Sequence, residues 1–230
     1  MQNPDVEHLI FELEKHLETD IKLSSEFLEW QSGVYAVVDC VFSAQAKYDL
    51  MVLPILRKRL PLRTDLQDVA ELKFSAFLQD MDSFGIDKFE RYANEVVMNK
   101  QKISNRRKTE ICYDVCQFFV QKGFETKSDL RLLNSAALQK LVLDDLRLSI
   151  RGIGSTLAKY LLMLIGDESH IKPDTMILRF FSRLSEWQPR FGNDQDAEII
   201  RQVIANVALK HDTTPARLDH EIWLFESRPG

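Results

Sequence analysis

Asp145 to Leu184 reads D-L-R-L-S-I-R-G-I-G-S-T-L-A-K-Y-L-L-M-L-I-G, then D-E-S-H-I, then K-P-D-T-M-I-L-R-F-F-S-R-L. An apolar helical run meets Gly152-Ile153-Gly154, a second apolar helix follows, and Lys172-Pro173-Asp174 opens a third. Two glycines let the backbone turn sharply, so N–H groups at the start of the second helix can approach a ligand closely. Such a helix start favours phosphate. Gly152, Ile153, Gly154, Ser155 and Thr156 offer those amides together with two hydroxyls. Glycine turns also join helices for purely structural reasons, and on these residues alone both readings stand.

Asp174 has two compatible roles. It precedes a helix whose buried stripe is Ile177, Phe180, Phe181 and Leu184, so it reads as an N-cap. A carboxylate there is held ionised by the dipole and by N–H bonds, which suits it to stabilise developing positive charge.

Working outward, helical periodicity dominates. Asn3-Pro4-Asp5 reads as N-cap, first-turn proline and dipole-compatible acid, ahead of a stripe of Val6, Leu9, Ile10, Leu13 and Leu17. The run from Val34 to Phe42 is apolar enough for a buried helix, and Pro54 kinks the one after it. Thr64 to Met81 predicts an amphipathic helix, and another starts after Gly85. Ile111, Cys112, Val115, Cys116 and Phe119 mark a further helix stopped by Gly123, with the two cysteines as core thiols on one face. Late stripes through Ile200, Val203 and Val207, and through Leu218, Ile222 and Phe225, complete the pattern. The terminal A-R-L-D-H-E-I-W-L-F-E-S reads as a packed helix without chemistry, and no stretch shows sustained period-two alternation. The expected fold class is all-α.

Composition sets bounds. With 230 residues and 45% hydrophobic content the chain can build a full core. Its longest apolar stretches fall far short of the roughly 20 residues a spanning helix needs, which argues against a membrane protein. The acidic N-terminus lacks the regions of a signal peptide, so the expected location is intracellular, in cytoplasm, nucleoid or nucleus. The net charge of −5 hides an asymmetry: residues 100–172 hold 13 Lys/Arg against 8 Asp/Glu. The basic surplus surrounds the glycine turn, where it can meet a phosphate backbone or form an ordinary solvated surface.

Four segments together resemble the helix–hairpin–helix DNA glycosylase superfamily, whose relatives include endonuclease III. That family has a hairpin L-P-G-[VI]-G-x-[KST]-T-A followed by V-D-T-H-x-x-R; here stand I-R-G-I-G-S-T-L-A and P-D-T-M-I-L-R. Upstream, F-S-A-Q-A-K-Y-D is similar to L-S-A-Q-A-T-D, and S-N-R-R-K-T-E-I-C is similar to G-F-Y-R-x-K-A-x-x-L. The segments keep the family's order across roughly residues 34–184.

The resemblance implies a two-lobed fold, with residues 42–172 as one lobe and residues 1–41 plus 173–230 as the other. It implies base excision on double-stranded DNA containing a damaged base, such as an alkylated purine, by a monomer. Asp174 would stabilise the sugar cation and position water. Gly152 to Thr156 would bind a phosphate, with a monovalent cation as the one candidate cofactor at the hairpin and no other metal. Gln45 would fill the gap left by the flipped nucleotide. Arg107, Lys108, Arg151 and Lys159 are candidate backbone contacts, and Trp30, Tyr48 and Tyr160 candidate base-pocket residues. Thr156 stands where bifunctional members carry the Schiff-base lysine, so lyase activity is not expected. No cysteine follows Cys116, so neither is an iron–sulfur cluster. The competing readings are a helix–hairpin–helix DNA-binding protein without excision and a helical scaffold whose G-I-G turn is incidental.

Overall fold

The computed structural model describes residues 4–23, 30–63, 72–167 and 169–227. The chain is predominantly helical and divides into two compact units, residues 29–166 and residues 1–28 with 167–230.

The terminal unit is built from α1 (Val6–Thr19), α10 (Thr175–Leu184), α11 (Asp194–Lys210) and α12 (Pro215–Ser227). Their stripes meet as periodicity predicts. Leu9 and Leu13 pack with Ile177, Phe180, Phe181, Ile204, Val207 and Ile222. Burying each large side chain contributes about 2 kcal/mol, which offsets the entropy of ordering four helices. The cap of α1 is Asp5, whose carboxylate accepts from the amides of Glu7 and His8, rather than Asn3, which lies outside the described residues. At the other end of the core, Glu226 receives Arg179 and Arg183 of α10.

The unit formed by residues 29–166 is organised around α2 (Gly33–Ser43), in which every residue from Gly33 to Phe42 is buried. A helix apolar on all sides must be covered on all sides. Here α5 (Lys108–Gln121) and α9 (Ser155–Ile165) supply the cover. This packing places α2 with the central segment, so the first boundary falls at residues 28/29 instead of the expected 41/42. Gly33 lets the start of α2 approach closely: a Cβ there would sit 2.5 Å from the Phe74 ring.

Around that centre lie α3 (Phe74–Asp82), α4 (Lys88–Arg91), α6 (Lys127–Arg131), α7 (Ser135–Gln139) and α8 (Arg147–Ser149). The helix expected over Thr64–Met81 is present from Phe74, while residues 64–71 lie outside the described set. On both sides of Pro54 the chain winds as π turns, Tyr48–Val52 and Ile55–Arg59, because proline has no amide for a regular helical bond. Cys112 and Cys116 are buried as expected, and burial pushes both thiols up from the ordinary range.

One departure from the purely helical reading is a short antiparallel pair, β1 (Lys102–Ile103) with β2 (Arg106–Arg107). Ser104 and Asn105 connect them with φ of 52° and 66°, the left-handed pair that a tight hairpin turn requires. Two-residue strands are too short to show alternation in sequence.

Candidate functional site

The three resembling segments that fall in residues 29–166 are joined by specific bonds. Lys108, at the start of α5, is 1% exposed. Its ammonium donates to the carbonyls of Phe42 (2.9 Å) and Ala44 (2.6 Å) and to Gln101 Oε1 (2.8 Å). A buried cation thus sits at the negative end of α2, where dipole and carbonyls stabilise it. The chain turns out immediately beyond, and Gln45 is exposed with φ of 52°. Non-glycine residues adopt that conformation at a cost, so the clamp at residues 42 and 44 helps define the turn. Lys108 is therefore a structural cation and not the DNA-backbone contact expected from its charge.

The same segment reaches the glycine hairpin. Arg106 is held by Glu110 (2.8 Å) and Asp114 (2.5 Å), and donates to the carbonyl of Arg151 at 3.1 Å. Gly152 has φ of 110°, and a Cβ at this position would meet Ile111 Cδ1 at 2.7 Å. Glycine is required twice over, for the left-handed backbone and for the close approach. One hairpin carbonyl, the acceptor in a loop expected to hold a monovalent cation, here faces the tethered cation of Arg106.

Ile153 is buried and anchors the turn, whereas Gly154 is exposed and caps α9. Glycine has no side chain to satisfy the first-turn amides, in contrast to Ser32, Asp174 and Asn193, which cap α2, α10 and α11. Ser155 and Thr156 lie in that first turn, both partly exposed. The α9 start therefore presents the amide-rich end of an 11-residue helix at the surface. Of the remaining cationic candidates, Arg151 is exposed, Lys159 is partly buried, and Arg107 is paired with Glu90 and with the Lys100 carbonyl.

Trp30, Tyr48 and Tyr160 converge on one acid that sequence reading passed over. Asp39 lies inside α2 and is 1% exposed. Its Oδ2 accepts from Trp30 Nε1 (2.6 Å) and the Tyr48 hydroxyl (2.6 Å), and its Oδ1 from the Tyr160 hydroxyl (2.9 Å). Burial and the adjacent carboxylate push both tyrosine hydroxyls up from their usual range, so they stay protonated donors. Tyr160, at 8% exposure, is a core residue and presents no face to a stacked base. The cluster ties the chain before α2, the π turn after it and α9 to one carboxylate. A lone acid in the run V-Y-A-V-V-D-C-V-F was the available signal, since a buried charge demands partners.

Asp174 belongs to the terminal unit. It caps α10, its Oδ1 accepting from the amides of Met176 (2.9 Å) and Ile177 (3.3 Å), while Lys172 Nζ lies 3.9 Å from Oδ2. One oxygen is committed to the helix, and the side chain keeps 20% of its surface exposed. In the same unit the sequence reading missed Asp219, 3% exposed on α12, the helix to which it gave no chemistry. Asp219 accepts from the Lys172 amide, while its Oδ1 has no hydrogen-bond partner. Burial first, and the negative charge of Asp174 second, push its carboxyl well above the usual carboxylate range. A separate cavity of about 670 Å³ is lined by Asp5, His8, Trp187, Arg190 and Asp196 among others, and neither Asp174 nor Asp219 contributes to it.

These features define an all-α protein carrying a glycine-turn surface in one unit and a helix-capping carboxylate in the other. The chain belongs to the family described as a domain of unknown function (DUF8548), whose model matches residues 8–227. No curated protein matches it. No helix among the described residues is long and apolar enough to cross a membrane.

Proposed function

We propose that the protein is a monofunctional DNA glycosylase that hydrolyses the bond between a damaged base and its sugar, an alkylated purine being the first substrate class to try. The observation that carries this reading is the bonding of the three glycosylase-like segments in residues 29–166. Lys108 clamps the turn bearing Gln45, and Arg106 with Ile111 braces the glycine hairpin. A gap-filling side chain and a phosphate-binding helix start thus share one support. In the excision reaction the α9 amides bind a phosphate beside the lesion. Gln45 enters the opened duplex, and Asp174 stabilises the sugar cation as the base departs and orients the water that attacks it. Thr156 has no amine, so no imine forms and strand cleavage does not follow.

The test is a panel of duplex oligonucleotides, each bearing one lesion, incubated with purified protein and developed with alkali to reveal abasic sites. Base release is expected from at least one lesion, without borohydride trapping. Asp174→Asn keeps an N-cap, so it should fold and bind DNA normally while release falls about 100-fold or more. Undiminished release by that variant overturns the mechanism. Salt-sensitive duplex binding with no release across the panel would leave a non-catalytic DNA-binding protein.

A further inference from the structure

We propose that Asp219 is a positioning residue that is buried as the neutral acid on the helix packed against α10, leaving Asp174 as the charged carboxyl at the start of that helix. The assignment of Asp174 to excision rests on the function proposed above; the neutral form of Asp219 does not. It stands on placement. Asp219 is almost fully buried on α12, which packs against α10, the helix capped by Asp174. Its carboxyl accepts from the Lys172 amide, and among the described residues Oδ1 has no hydrogen-bond partner.

An ionised carboxylate in that position would carry an unsolvated lone-pair oxygen next to a second negative charge, the arrangement that low dielectric penalises most. A protonated Asp219 removes both penalties. Asp174 is in the opposite situation: its Oδ1 accepts from two amides at the start of α10, and its side chain keeps 20% of its surface exposed. Of the two acids Asp219 is the more buried and has the fewer donors, so it is the one better accommodated in the neutral form. The charged groups acting on Asp219 are Asp174 and Lys172, both before α10, and Lys172 only partly offsets the acid. His220, next to Asp219 on α12, is pushed down by its own burial, so it is neutral at pH 7 and adds no compensating charge. The negative charge is thereby confined to the more exposed carboxylate, the one able to meet a developing cation.

The experiment uses the whole chain labelled with ¹³C at the aspartate carboxyl. The Asp219 resonance is assigned by its loss in Asp219→Asn and followed from pH 3 to 9. It should titrate well above the ordinary aspartate value of about 3.9. In Asp174→Asn the same resonance should titrate at lower pH, because the neighbouring charge is gone. A folded-state value above the unfolded one means stability is lost as pH rises from about 4. Asp219→Asn should therefore gain on the parent protein in melting temperature as pH rises from 4 to 7, by about 3 °C.

An Asp219 resonance with an ordinary midpoint overturns the proposal, as does one that Asp174→Asn leaves unmoved. The titration and melting arms need no DNA, so they decide the protonation of Asp219 even if no lesion is released. Failure of the lesion panel alone counts only against the function proposed above.

Discussion

Asp39 and Asp219 are the same residue at nearly the same burial, and they are treated in opposite ways. Asp39, in residues 29–166, accepts from one indole and two phenol groups, while Asp219, in the terminal unit, leaves one oxygen without a partner. A buried charge encircled by donors holds structure together; a buried acid short of donors tends to keep its proton. The difference teaches that burial alone does not classify an acidic residue. The donors around it do.

The largest break in this comparison is Asp39→Ala. It strands donors of Trp30, Tyr48 and Tyr160, and should cost about 4 kcal/mol in urea unfolding. Asp219→Ala, which strands only the Lys172 amide and is relieved of a desolvated acid, should cost less than half as much. Equal losses would erase the distinction. Lys108→Met comes next, at about 3 kcal/mol, because carbonyls of Phe42 and Ala44 lose a charged donor inside the protein. Under the proposed function, duplex binding should fall with it, since the Gln45 turn is no longer held.

Gly152→Ala should destabilise by about 2 kcal/mol through its positive φ and the Ile111 contact, and under the proposed function it should weaken duplex binding at the same time. Tyr48→Phe removes one of the Asp39 donors and leaves the rest, at about 1 kcal/mol. The smallest effect concerns His220. Its folded value lies below its unfolded value, so stability is lost as pH falls through about 6.5. A melting series on His220→Gln should be flatter between pH 7.5 and 5.5 than the parent protein.

Local signals were legible in the chain, and distant ones were not. The stripes of α1, α5, α10, α11 and α12 follow from spacing within a few turns, and Asp174 as the cap of α10 follows from three consecutive residues. Asp39 was missed because one of its partners lies 121 residues away. Lys108 was misread as a surface cation because its carbonyl acceptors lie 66 and 64 residues upstream, and nothing in a lysine's neighbours announces burial. Asp219 sits in a helix whose apolar stripe was read correctly, but the acid between stripe residues looked like an ordinary solvated group. The β1–β2 hairpin escaped for another reason, since its strands have two residues each and only Ser104-Asn105 carries a turn signal.

The Lys108 clamp also links three pieces of chain that are distant in sequence. Its ammonium bonds the end of α2 to the loop before α5, and Arg106, two residues away, bonds that loop to the hairpin carbonyl. None of these three pieces can detach without breaking bonds to the next. Amides in residues 42–48, 101–111 and 150–153 should therefore exchange with deuterium at a common rate, as one cooperative unit. An assembly that opens all at once or not at all keeps its turn geometry between encounters, so a ligand meets a surface already formed.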